Sequence, residues 1–181
     1  MAVLAINAGL FLVESVAGVL ARSAALLGDS LDMLGDALVY GFSLYVLNRG
    51  AIWRVRAAYA KGVVMLVFGV GVLGEVLHKV LSPAPPVAEA MGAVGVLALA
   101  GNAVCFWLLF RHRTEDLNMR STWLCSRNDL LANTAVLAAA VGVSLTGSHW
   151  PDVVVGGAIA ALFVQTAFTV LRAARFEARQ T

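Results

Sequence analysis

Three aspartates, Asp29, Asp32 and Asp36, interrupt an otherwise apolar run from Ala24 to Leu47. Their i, i+3, i+7 spacing puts all three on one face of a helix. In a helix that crosses a bilayer, each centrally placed Asp costs about 2.5–3.5 kcal/mol on insertion scales. Three on one stripe therefore need partners. Asp32 and Asp36 lie one turn apart near the middle of the run, a geometry that suits two oxygen ligands on a single cation. A later apolar segment offers Cys125, Asp129 and Asn133 at successive i+4 steps, again on one face. Asp129 is the strong member, since a lone buried carboxylate wants a cation or a proton. Cys125 either packs or supplies a thiolate. Asn133 either coordinates through its amide oxygen or ties helices by a hydrogen bond, the more ordinary role. Arg127 falls on another face and is expected to snorkel or to pair elsewhere.

Asp32, Asp36, Cys125 and Asp129 would make four ligands, with Asp29 and Asn133 as secondary candidates. Four ligands fit a tetrahedral site for zinc-like ions, and a thiolate tilts preference towards zinc or cadmium. Without Cys125 the site is oxygen-rich and suits harder ions such as manganese; cobalt, nickel and iron also stay open. The bland alternative, protonated carboxylates acting as helix glue, suits one polar residue better than three acids on one stripe. The two segments also echo each other: Leu31-Asp32-Met33-Leu34-Gly35-Asp36 and Leu124-Cys125-Ser126-Arg127-Asn128-Asp129 both place a ligand-type residue four before an Asp.

Other polar residues are less specific. Asn7 and Glu14 share a helical face and either line a cavity or brace the aspartate-bearing helix. Glu75 and Lys79 have the spacing of an i, i+4 ion pair. His149 and Asp152 flank a turn, where they bind a departing ion weakly or are simply solvated.

The elements that position these residues follow from composition. Of the 181 residues 60% are hydrophobic and 13% charged, against roughly 25% charged in a soluble domain, so lipid is expected to cover much of the surface. Spans of about 20 apolar residues are predicted near 2–21, 24–47, 62–81, 87–110, 119–146 and 152–171. The expected fold is thus an all-α membrane protein, a six-transmembrane-helix bundle over 1–171 with a short tail over 172–181. Arg22-Ser23 makes a tight link, Ala51 to Lys61 a basic connection, and Ser82-Pro83-Ala84-Pro85-Pro86 a break, because proline lacks the backbone donor. The first stretch starts at Met1 without a basic n-region and reads as a span rather than a cleavable leader. Arg49, Arg54, Arg56 and Lys61 fall on the same side as Arg111, Arg113, Arg120, Arg172, Arg175 and Arg179, while the other side has Arg22 and Lys79. The positive-inside rule then places both termini in the cytoplasm, in a multi-pass protein of a bacterial inner membrane. Net charge +2 with dispersed basic residues excludes nucleic acid as a partner, and Cys105 and Cys125 inside apolar segments argue against a disulfide framework.

Asn7…Glu14…Gly18, the stretch from Ser23 to Asp36, Glu75…Lys79…Leu81-Ser82-Pro83, and Cys125 with Asp129 together resemble the cation diffusion facilitator family. The second-helix motif of that family, His or Asp followed four later by Asp, falls on Asp32 and Asp36, and the fifth-helix motif falls on Cys125 and Asp129. The resemblance implies export of divalent metals, usually against protons and commonly by homodimers. Cys125 stands where His or Asp is more usual, His112 stands alone where a histidine-rich loop is common, and the family's cytoplasmic C-terminal domain has no counterpart in these residues. Dimerisation would then rest on the membrane part.

The expectation is a divalent metal efflux transporter, a secondary transporter rather than an enzyme. It has no resident cofactor, and lipid, metal ion and protons are its partners. Two rivals remain. A proton-coupled exporter of organic cations would want aromatic residues beside the acids, yet Trp53, Trp107, Trp123 and Trp150 sit mostly near helix ends. The other rival is a non-transporting assembly subunit with a degenerate metal site.

Overall fold

The computed structural model describes residues 2–46, 51–110 and 117–178. Six helices follow one another: α1 (Ala2–Ala21), α2 (Ala24–Val46), α3 (Ala51–Leu81), α4 (Ala88–Phe110), α5 (Leu117–Thr146) and α6 (Trp150–Glu177). No strand occurs among the described residues. The protein is all-α.

Five helices carry a stretch long and apolar enough to cross a membrane: α1, α3 from Val55, α4, α5 from Asp129, and α6. The exception is α2, because any 18-residue window in it contains Asp29, Asp32 and Asp36. Large apolar side chains point outward from the other helices, among them Leu20 and Val16 on α1, Val67 on α3, Val96 on α4 and Leu162 on α6. In water such a surface would drive aggregation; in lipid it is the natural exterior of a multi-pass membrane protein.

Two expected boundaries move. The segment from Ala51 to Lys61, read above as a basic connection, forms the first turns of α3. It holds four alanines and no glycine or proline, so its own propensity favours helix. The tail is helical as well, since α6 runs on through Arg172 and Arg175 to Glu177.

The helix packing has α2 at its centre, touching α1, α3, α5 and α6. α1, α2, α4 and α5 form one group of neighbours, and α3 packs chiefly against α6. Glycine opens both seams. A Cβ on Gly69 would lie 2.8 Å from Val164 Cγ2 across the α3–α6 seam, and one on Gly101 2.8 Å from Leu10 Cδ1 across α1–α4. Small residues allow this close approach, which supplies helix association in lipid. Two apolar cores result. One joins Ala21, Ala25 and Leu26 to Met91 and to Val136, Ala139, Ala140 and Val143 of α5. The other joins Leu31, Met65, Val72, Ala160, Phe163 and Ala167.

The links at 22–23, 82–87 and 147–149 lie at one end of the bundle. Arg22 adopts φ 52°, a left-handed conformation that ends α1. Around it, the Arg22 N–H donates to the Val19 carbonyl at 3.2 Å and the Ser23 N–H to that of Gly18 at 2.8 Å, the paired bonds of a left-handed helix terminus. α2 starts at once. Its exposed amides are all answered: Ala24 and Ala25 donate to the Asp152 carboxylate at 2.9 and 3.0 Å, and Leu26 donates to Ser23 Oγ at 3.1 Å. Ser23 Oγ itself donates to Asp152 Oδ1 at 2.6 Å, and Lys79 pairs with the same carboxylate.

This arrangement corrects two expectations. Asp152 is fully buried and is neither solvated nor free for a departing ion. Lys79, also buried, turns to α6 rather than to Glu75 on its own helix. The reason is that α2 begins beneath the start of α6 and presents a helix N-terminus, where a carboxylate is favoured.

Candidate metal centre

The acidic face of α2 turns inward, as its spacing requires. Asp129 of α5 comes close enough to share a hydrogen bond with Asp32 and with Asp36. Two helices far apart in sequence thus bring three carboxylates to one place. Asp29 lies one turn nearer the start of α2, fully buried and within electrostatic reach of Asp32 and Asp129. Among the described residues, no three acidic, histidine or cysteine side chains are posed as a closed metal shell. The arrangement is a cluster of mutually repelling acids, which a cation or shared protons would relieve.

The predicted fourth ligand, Cys125, belongs to the helical span of α5, but its side chain lies outside the described residues, as does that of Arg127. Asn133 is fully buried one turn from Asp129. Its Nδ2 donates to the Asp129 carbonyl at 2.8 Å, which is the ordinary helix-bracing role, while its Oδ1 has no partner.

Three further candidates do not stand out in the sequence. Cys105 of α4 is a buried free thiol within electrostatic reach of Asp36 and Asp129. One turn earlier, the Nδ2 of fully buried Asn102 donates to Met33 Sδ at 3.5 Å, and its Oδ1 is unpartnered. Asn102 and Cys105 are three apart in an apolar helix, the same kind of signal that marks α5, but neither carries a charge that an apolar span must account for. The third is Lys61 of α3, within electrostatic reach of Asp36. Reading 51–61 as a loop hid it.

A cavity of ≈ 600 Å³ runs between α5 and α6, lined by Leu131, Ala135, Ala158, Leu162 and Phe163 among others. Asp32 is the charged residue in its wall, so the acidic cluster borders this cavity. On the other side, the core formed by Leu26, Met91 and Val136 to Val143 closes the α1–α2–α4–α5 unit at the end of the short links.

Fold and site together define a class: a multi-pass α-helical membrane protein with an acidic centre at the crossing of its second and fifth helices. The family model of the cation efflux transmembrane domain matches residues 1–177, and the chain belongs to that family. It is 29% identical to the zinc transporter ZitB of Escherichia coli over 92% of this chain and 58% of that protein. It is also 29% identical to the metal cation efflux system protein CzcD of Cupriavidus metallidurans, over 82% of this chain and 51% of that protein. A cadmium, cobalt and zinc/H(+)-K(+) antiporter of Bacillus velezensis is 21% identical over 91% of this chain and 57% of its own length. The chain therefore spans between 51% and 58% of the length of these relatives.

Proposed function

We propose that this chain is the membrane unit of a divalent metal cation efflux transporter, with Asp32, Asp36, Asp129 and Cys125 as the ligands of the travelling ion. The observation that carries the reading is the convergence of Asp32 and Asp36 with Asp129 from a different helix. Three acids at one point within a membrane bundle are costly unless something positive joins them. Zinc and cadmium suit the set if Cys125 ligates, since thiolate favours softer ions. The zinc transporter and the cadmium, cobalt and zinc antiporter among its relatives support that choice.

Proton exchange follows from linkage. A metal binds only deprotonated ligands, so loading the site expels protons and unloading it admits them. Alternating access would come from rocking the α3–α6 pair against the α1–α2–α4–α5 unit around the acids; α3 packs chiefly against α6, which supports a pair that moves as one body, with α2 as the element it moves over. Pairing of two copies through the membrane part, in an inner membrane with both termini cytoplasmic, completes the reading and rests on family resemblance and basic-residue placement.

The test is ion-resolved uptake of Zn2+, Cd2+ and Mn2+ into inverted vesicles. Asp32→Ala and Asp36→Ala should each reduce transport at least tenfold, and collapsing the pH gradient should slow the wild type. Wild-type rates in both variants would remove the acids from the transport path. Uptake indifferent to the gradient would remove the exchange.

A further inference from the structure

Every buried carboxylate oxygen in this fold raises the same question, and Asp152 answers it fully, with two backbone amides, a hydroxyl and an ammonium group. Glu14 and Asp29 are the opposite case. Both are 0% exposed, and all four of their carboxylate oxygens lack a hydrogen-bond partner. They lie within electrostatic reach of each other and of Asp32. A buried charge without a partner costs several kcal/mol in effective terms, so a fold that equips Asp152 completely and leaves these two bare holds them open for something outside the chain.

A third open group stands at the same level. α2 and α5 pack in opposite directions, with Ala25 and Leu26 against Val136 to Val143 and Asp32 against Asp129. Asp29 lies within electrostatic reach of Asp129, and Asn133 follows Asp129 by one turn on the same face of α5. The fully buried Asn133 amide donates to its own helix and leaves Oδ1 unpartnered.

We propose that Glu14, Asp29 and the Asn133 amide oxygen form a second cation station, one turn from the Asp32–Asp36–Asp129 cluster towards the short-link end of the bundle, which takes the divalent cargo in transit. The inference rests on the transporter reading above. Two carboxylates neutralise one divalent ion. With oxygen ligands alone and fewer anions than the neighbouring cluster, the station holds the ion more weakly, as a transit position must if the ion is to leave. Beyond it stands the apolar core of Leu26, Met91 and Val136 to Val143, which would have to part for release.

Equilibrium dialysis of the detergent-solubilised full chain against Cd2+ tests this. The wild type should bind one ion more per chain at saturation than Glu14→Gln/Asp29→Asn, while Asp36→Ala should lose the tighter step and keep the weaker. Equal saturation of the double variant and the wild type overturns the second station and leaves the first intact. If Asp36→Ala instead binds as the wild type does, and the double variant binds nothing, the second station stands and the assignment of the ion to the Asp32–Asp36–Asp129 cluster fails. Should the double variant not fold, Glu14→Asp keeps the charge and shortens the reach. It should weaken only the second step, by about tenfold in Kd, and an unchanged second step overturns the proposal.

Discussion

Asp152 of α6 and Lys79 of α3 form a buried ion pair whose carboxylate is at the same time the N-terminal cap of α2. Three helices meet in that one side chain. Removing one partner of a buried pair typically costs about 3–5 kcal/mol, because the other charge is left uncompensated. Asp152→Ala should fall at the upper end, since it also uncaps Ala24 and Ala25, and Lys79→Met at the lower. Thermal unfolding in detergent should give the order wild type, Lys79→Met, Asp152→Ala; the reverse order would mean that the cap contributes nothing.

Gly156 lets α6 cross the start of α2. A Cβ there would stand 2.5 Å from the Ala24 backbone carbonyl carbon, and backbone cannot swing aside as a flexible side chain can. A Cβ on neighbouring Gly157 would meet Val76 Cγ1 at 3.6 Å, an ordinary contact. Gly156→Ala should therefore destabilise the protein by at least about 1–3 kcal/mol, the usual cost of overpacking, and Gly157→Ala should be close to neutral. Melting temperatures of the two variants, measured side by side, check the contrast.

Arg22 holds φ 52° in the link between α1 and α2. A non-glycine residue there costs roughly 1–2 kcal/mol, and its side chain is exposed. Arg22→Gly should raise stability or leave it unchanged, because relief of strain opposes the greater chain freedom of glycine in the unfolded state. A clear fall in the unfolding midpoint would show that the guanidinium has a role of its own.

A ligating thiolate would tilt the metal preference towards softer ions. Cys125→Ser should lower Cd2+ and Zn2+ uptake relative to Mn2+ if that thiol ligates. Cys105→Ser, one helix away but near Asp36 and Asp129, should leave the ratio unchanged if Cys105 only packs. A selectivity shift in Cys105→Ser alone would move the thiol ligand from α5 to α4.

Apparent Cd2+ affinity should rise with pH, because carboxylate and thiol ligands bind metal only after losing their protons. Titrations at a series of pH values check the sign, and affinity that falls with rising pH would contradict carboxylate ligation.

The six helices and the inward acidic stripe of α2 were readable in the amino-acid order, because both depend on local quantities. Length of apolar run sets a span, and i, i+3, i+7 spacing sets a face. The start of α3 reads as a connection from its arginines and lysine, whereas alanine-rich propensity carries the helix through them. Tertiary structure alone decided what each buried charge meets. Lys79 finds its partner 73 residues away and Ser23 finds the same carboxylate 129 residues away. Nothing in the spacing around Glu75 foretold this, since a local i, i+4 pair and a distant one look alike in a string of letters. Glu14 and Asp29 likewise show their lack of partners only once the neighbours are in place, because the satisfaction of a charge is a property of the packed interior and not of the chain.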